Sequence, residues 1–179
     1  MATKAILRRL VGEHQFYRIF RVDSSVSDPP SGAGCSLRRL ERLDLLGASR
    51  HKELAQLVNY AGEQAMCFVA EDQGEIVAAC WYWFGETYQR RNFWPLRPRE
   101  AKLVQVTSAT NVRGRGIAVA LIHFSTGQML GSGFDALYAR VWHSHVASRR
   151  AFEKAGWSEY AKVIEASPFG RRTRVVWWV

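Results

Sequence analysis

The chain has no apolar run approaching the ~20 residues that a membrane-spanning helix needs, which excludes a helical integral membrane protein. Its first residues, MATKAILRRLVGEHQ, are interrupted by Arg8, Arg9, Glu13 and His14 and contain no apolar segment of signal-peptide length. Glu13 and the shortness of that apolar stretch also speak against an Arg-bearing presequence. Cysteine is scarce: Cys35, Cys67 and Cys80 are odd in number and show no C-x-x-C spacing. A disulfide framework and a zinc site are therefore not expected, no metal is expected, and a reducing cytoplasm is the simplest setting. Internal repeats and long low-complexity tracts are also missing.

Acidic residues are in the minority. Sixteen Asp and Glu stand against 25 Lys and Arg, a net charge of +9. Such an excess attracts polyanions: nucleic acid, acidic lipid surfaces or phosphorylated cofactors. The basic residues are scattered in pairs (Arg8-Arg9, Arg38-Arg39, Arg90-Arg91, Arg149-Arg150, Arg171-Arg172) and form no block, as on a solvated surface. What is present is ordinary for a globular protein. The 179 residues are 47% hydrophobic and 23% charged, enough for one domain around one core.

Residues 24–34, SSVSDPPSGAG, form the clearest loop, with Ser, Pro and Gly clustered and nothing to bury. On either side, FYRIFRVD and SLRRLERLD alternate as half-buried strands do, although the second also suits the start of a helix. SRHKELAQLVNYAGEQ places Leu54, Leu57, Val58 and Ala61 at helical spacing behind a candidate cap, Ser49, and predicts a helix. In MCFVAEDQGEIVAACWYWFG, two β-rich runs flank a Gln-Gly pair suited to a hairpin turn. Residues 84–101 break the pattern with prolines and charges and read as a long aromatic-bearing loop. KLVQVTSAT is then a strand, GIAVALIHFSTGQML a helix ending near Gly131 and Gly133, and DALYARVW a strand. VASRRAFEKAGW is a short helix closed by Gly156, and RTRVVWWV a last strand. The unit from Lys102 to Trp142 is a strand-helix-strand crossover with parallel neighbours, so the fold class is a mixed α/β single domain.

The segment NVRGRG joins the strand to the helix that follows. Gly114 and Gly116 remove side chains where a ligand would approach the backbone most closely. The N–H groups of the helix's first turn and its dipole then favour an anion, with Arg113 and Arg115 adding charge. A pyrophosphate suits this arrangement, and so does a plain tight turn. The spacing is that of neither G-x-x-x-x-G-K-[ST] nor G-x-G-x-x-G, so a nucleoside-triphosphate loop and a dinucleotide fingerprint are unsupported.

After the next strand comes HVASRRAFEKAGW. With this second piece the sequence resembles the GNAT superfamily of acyl-CoA-dependent N-acyltransferases. The family signature R/Q-x-x-G-x-G/A is matched by Arg113, Gly116 and Ala118. Its later segment is matched by Ser148, Phe152 and EKAGW, with His145 where asparagine is common. The resemblance runs from about Met66 to Trp157 and includes the hairpin.

It implies a single GNAT-like mixed sheet over residues 1–179, with central strands splayed around the acyl-CoA arm and helices on the flanks. It also implies a role for each matched residue. Val106, Thr107 and Ser108 would hold the pantetheine arm through their backbone. Arg113, Gly114, Arg115, Gly116, Ile117 and Ala118 would cradle the pyrophosphate of acetyl-CoA. His145, Ser148 and Phe152 would line the wall near the thioester, and Lys154 either reaches the 3′-phosphate or is a solvated helix residue. Many members carry tyrosine at the Phe152 position, and phenylalanine has no proton to give a leaving thiolate. Attack of a neutral amine on acetyl-CoA needs a base and an oxyanion donor. His143 and His145 are the catalytic candidates, with Glu100 and Gln105 as alternatives through water. The 84–101 loop would lie on the acceptor side. There Tyr88, Phe93 and Trp94 would offer flat apolar area and Arg90, Arg91, Arg97 and Arg99 anion contacts, while Trp81 and Trp83 are expected in the core.

The expected activity is therefore N-acetyl transfer from acetyl-CoA to a primary amine of a small molecule or amino sugar, or of a protein. A non-catalytic acyl-CoA-binding module is the alternative, and a basic RNA-binding domain ranks last. The expected partners are acetyl-CoA and a small amine, with no membrane; a homodimer is left open.

Overall fold

The computed structural model describes residues 14–23, 34–89, 93–167 and 173–179. Residues 24–33, where a loop is expected, and the pairs Arg8-Arg9, Arg90-Arg91 and Arg171-Arg172 lie outside them. Strand β1 (His14–Val22) is followed by β2 (Ser36–Leu40), then helices α1 (Leu43–Gly47) and α2 (Lys52–Ala55). The hairpin β3 (Ala65–Asp72) and β4 (Glu75–Phe84) comes next, with a short α3 (Glu86–Gln89). β5 (Glu100–Ser108), α4 (Ile117–Gly131) and β6 (Ala136–Trp142) form the crossover; α5 (Val146–Lys154), β7 (Ser158–Ala166) and β8 (Thr173–Trp178) complete the chain. The strands form one eight-stranded sheet in the order β2-β3-β4-β5-β6-β1-β7-β8. β5 and β6 are parallel, as the crossover requires, and the other neighbours are antiparallel. No helix among the described residues is long and apolar enough to cross a membrane.

The β3–β4 turn forms at Gln73 and Gly74, both at positive φ (51° and 80°), the geometry a two-residue hairpin turn needs. Residues 49–64 depart from the single helix that their spacing predicts. His51 is the N-terminal cap residue of α2, and Ser49 Oγ accepts the His51 N–H at 3.2 Å. After four residues the chain tightens into a 3₁₀ turn over Gln56–Tyr60. Val58, Asn59 and Tyr60 are poor helix formers ahead of Gly62, and Trp83 Nε1 draws the Tyr60 carbonyl aside at 2.9 Å. β7 is an element that the sequence reading passes over. Its alternation buries only Ala161 and Val163, between charged neighbours.

Two apolar clusters lie on the sheet. The larger packs α4, α1 and α2 about β3 and β4 and includes Leu46, Leu54 and Leu121, each with no exposed surface. Burying one such leucine stabilises by about 1.5–3 kcal/mol. Across α4, Tyr82 Oη and Ser125 Oγ lie 3.0 Å apart, and Trp157 Nε1 donates to Thr126 Oγ1 at 2.9 Å, so these four buried polar groups are satisfied. The smaller cluster holds Tyr17, Ile19, Tyr138, Ala161 and Val163, capped by Phe93, Trp94 and Leu96. The aromatic residues of the 84–101 segment are less exposed than a loop tip would be. Tyr88, Phe93 and Trp94 are buried, because the segment folds back on the sheet. Trp94 packs on Tyr138, Tyr160 and Trp178, and Arg174 Nη2 donates to the Phe93 carbonyl at 2.7 Å. Trp81 is buried as expected, and Trp83 is half-buried between Tyr60 and Tyr88.

Candidate active site

β5 and β6 pair only from Glu100↔Ala136 to Leu103↔Ala139. Beyond that point β5 stays with β4 as far as Ser108↔Ala78, and β6 stays with β1 as far as Trp142↔Tyr17. The two strands therefore diverge, and a cavity of about 350 Å³ opens between them. β5 lines it with Leu103, Val104, Gln105 and Val106, and β6 with Arg140, Val141 and Trp142. His145, Ser148 and Phe152 close it from the start of α5, and Phe93 from the segment ahead of β5.

Of the pantetheine candidates, Val106 lines the cavity, while Thr107 and Ser108 continue the strand edge beyond it. Thr107 Oγ1 accepts Gln105 Nε2–H at 3.0 Å, and Gln105 Oε1 faces the Tyr60 hydroxyl at 3.4 Å. Ser108 Oγ is buried with no partner, an orphaned polar atom at the strand end where a ligand's amide would run. Beyond Ser108, the Ala109 N–H bonds Val77 O at 2.8 Å, and a 3₁₀ turn leads to Arg113.

Gly114 and Gly116 have φ of 83° and 79°, and a side-chain carbon built on either would meet no atom within 4 Å. Their positive φ calls for glycine, and the space above them is open. Gly116 caps α4, whose first helical bond is from Ala120 N–H to Gly116 O at 3.0 Å. The N–H groups of Ile117 and Ala118 precede that bond and are available to an anion. Arg113 is exposed, and Arg115 is held by Asp72 at 2.6 Å. A phosphate here meets backbone donors and one uncommitted guanidinium. The orphaned hydroxyl, the open glycine loop and the parted strands all fit an acyl-CoA arm.

The two histidines are separated. His145, the N-terminal cap residue of α5, is exposed and lines the cavity. His143 lies outside the lining: its ring stacks on Phe16 at 4.1 Å and its Nδ1 accepts Arg18 Nε–H at 3.3 Å. Desolvation, with the guanidiniums of Arg18 and Arg149, holds the His143 imidazole below its ordinary pKa. Glu100 stands at the far end of β5, its carboxylate taken up by Arg97 N–H at 2.7 Å and the Tyr138 hydroxyl at 3.1 Å. Phe152 is buried against Phe20 and Trp157 at the cavity wall, and Lys154 ends α5 outside the lining. The lining contains no carboxylate among the described residues. Sequence reading did not single out Arg140 or Trp142. The pattern YARVW puts Arg140 on the same strand face as Tyr138 and Trp142, and a charge in that apolar strand was the available signal.

A sheet split at its centre, beside a glycine loop that opens a helix, is the architecture of an acyl-CoA-dependent transferase. The profile of the acetyltransferase (GNAT) family matches residues 35–157, and the chain belongs to that family. A search of curated proteins finds no match. Among solved structures, a GNAT-family acetyltransferase from Colwellia psychrerythraea superposes with a TM-score of 0.61 at 15% identity, over 93% of this chain and 61% of that one. A GCN5-related N-acetyltransferase from Sphaerobacter thermophilus gives 0.60 at 16% identity, over 94% and 56%. A ribosomal-protein alanine N-acetyltransferase from Escherichia coli gives 0.56 at 18%, over 72% and 80%. These likenesses are of fold. The chain spans only 61% and 56% of the length of the first two.

Proposed function

We propose that this chain is an N-acetyltransferase domain that moves the acetyl group of acetyl-CoA to a primary amine of a small molecule, in the cytoplasm. The observation that carries the reading is the parting of β5 from β6 above Leu103↔Ala139, with the Gly114–Gly116 loop following from the same strand. In this reading the backbone of Val106, Thr107 and Ser108 holds the pantetheine arm. The N–H groups from Gly114 to Ala118, with Arg113, hold the pyrophosphate. The acceptor amine attacks the thioester carbonyl, the C–S bond breaks, and the thiolate leaves past Ser148 and Phe152. His145 is the only side chain among the described lining residues that suits a general base, and it takes the amine's proton, directly or through water. Phe152 supplies no proton, so the thiolate leaves unprotonated or takes a proton from water. Holding amine and thioester together accounts for much of the acceleration.

Acetyl-CoA should raise the melting temperature, and free thiol should appear across a panel of primary amines. His145→Gln should lower kcat about 10²-fold, within the range for general bases, and keep the thermal shift. No thermal shift at millimolar acetyl-CoA would overturn the reading. A thermal shift with no thiol release from any amine would favour a non-catalytic acyl-CoA-binding module, the reading that Phe152 supports.

A further inference from the structure

Arg140 is the unusual member of the cavity wall. It is half-buried on β6 between Tyr138 and Trp142, and its guanidinium carbon lies 5.5 Å from the Tyr17 ring, 5.3 Å from Phe93 and 5.0 Å from Trp142. Half-buried Arg18 and Arg21 have carboxylates, Glu159 and Asp23 (the latter at 2.9 Å), and the exposed Arg174 has Glu165 at 3.6 Å, whereas half-buried Arg149 on α5, like Arg140, has none among the described residues. Among the described residues, Arg140 has no carboxylate within ion-pair distance and donates no hydrogen bond to the protein. Aromatic faces steady a guanidinium but accept none of its five N–H donors in the plane of the fork. The cation thus stands against three aromatic rings, lines the cavity and has no acceptor for its donors among the described residues.

We propose that Arg140 binds a carboxylate of the acyl acceptor, so that the substrates are amines carrying an acid group on an apolar body, as in an apolar amino acid. The inference rests on the acceptor occupying this cavity, as the proposed function has it. Three observations select that ligand. Among the described residues of the lining, Arg140 is the only side chain with a fixed charge, which matches a monoanion. A planar carboxylate takes the guanidinium fork through two parallel bonds, whereas a phosphate dianion calls for further cations, which the described residues of the wall do not supply. Strand alternation separates Arg140 from the cofactor side: Val141 belongs with Phe20 and Phe152, whereas Tyr138 belongs with Phe93. Phe93 and Trp142 then give the apolar body of the acceptor flat surfaces to lie on.

The test is calorimetric binding to protein saturated with CoA, so that no acyl transfer is needed to read it. L-phenylalanine is compared with phenethylamine, and L-leucine with isoamylamine, pairs that differ only in the carboxylate. Wild-type protein should bind the acid of each pair at least 10-fold more tightly. Arg140→Met should bring the two within 2-fold, and Arg140→Lys, which keeps a charge should the methionine variant fold poorly, should retain part of the preference. Equal affinity of acid and amine for the wild type, or an undiminished preference in Arg140→Met, would overturn the proposal. So would tighter binding of phosphoethanolamine than of either acid. Thiol release is scored separately. A protein that binds the acids selectively but acetylates nothing defeats the enzymatic reading and leaves Arg140's role standing.

Discussion

Replacing Gly116 with alanine, and Gly133 in parallel, separates backbone strain from loss of a ligand. Both glycines lie at positive φ, 79° and 94°, and neither has an atom within 4 Å of a built side-chain carbon. They stand at opposite ends of α4, so only Gly116 is near the proposed pyrophosphate. Left-handed backbone costs an alanine about 1–2 kcal/mol at either place. For a domain of this size that lowers the melting temperature by roughly 2–8 °C in both variants. Acetyl-CoA at a hundred times its Kd stabilises the native state by about 2.7 kcal/mol, a rise of roughly 5–10 °C. A methyl group pressed against the phosphates should weaken binding about tenfold, worth about 1.4 kcal/mol, and so remove about half of that rise. Differential scanning fluorimetry across an acetyl-CoA titration measures both effects. Gly116→Ala should lose both stability and cofactor response, and Gly133→Ala stability alone. If the two variants respond alike to acetyl-CoA, the loop does not hold its phosphates.

Thr126→Val keeps the side-chain shape but leaves the buried Trp157 Nε1–H without its 2.9 Å acceptor. Chemical denaturation should show a loss of about 1–3 kcal/mol, with acetyl-CoA affinity unchanged within 2-fold. Lys102 has no exposed surface, and desolvation pushes its ammonium down to about 8, although Nζ donates to Tyr88 O at 2.9 Å. In the pH window from about 8 to 10.5 the unfolded chain binds more protons at this group than the folded one, so stability rises with pH across it. The difference in unfolding free energy between wild type and Lys102→Met should therefore grow in favour of the wild type, by up to about 3 kcal/mol, from pH 8 to 10.5. A flat difference over that window would mean that the buried group does not titrate there.

The parts of the fold that announce themselves in sequence are those in which one residue type is needed locally. Gly114 and Gly116 between a strand and an apolar helix predict the turn, because positive φ there admits little else. The Gln73-Gly74 hairpin is legible for the same reason. The elements misread are those set by contacts distant in sequence. Phe93 and Trp94 look like part of an aromatic-bearing, acceptor-side loop, and their packing is not legible until Tyr138, Arg174 and Trp178 are brought beneath them. Residues 49–64 keep a helical spacing that four residues of helix and a 3₁₀ turn satisfy equally well. Alternation in YARVW tells which face Arg140 occupies but not that this face meets a cavity. His143 and His145, two positions apart in sequence, part because only His145 follows the turn into the cavity mouth.

The split in the sheet has a local cause. In the β4–β5 ladder, Trp81 pairs with Gln105 and Tyr82 with Leu103, which leaves Val104 as an extra residue on β5. A bulge of this kind bends its strand and sharpens the local twist. β5 pairs with β6 as far as Leu103 and no further, so the strands part at the residue next to the bulge. An inserted residue thus turns a continuous sheet into a slot, and leaves a row of backbone groups on β5 facing the slot with no strand to bond them. Hydrogen exchange tests that argument directly. Amides of Ala101 to Leu103, which lie where β5 is paired on both sides, should be protected with or without acetyl-CoA. Amides of Val104 to Ser108 that face the slot should exchange faster in the free protein and slow on adding the cofactor, as its pantetheine amides take the place of the missing strand. Equal protection of the two stretches in the free protein would mean that the strands close on one another in solution, and that the slot is not the cofactor's resting place.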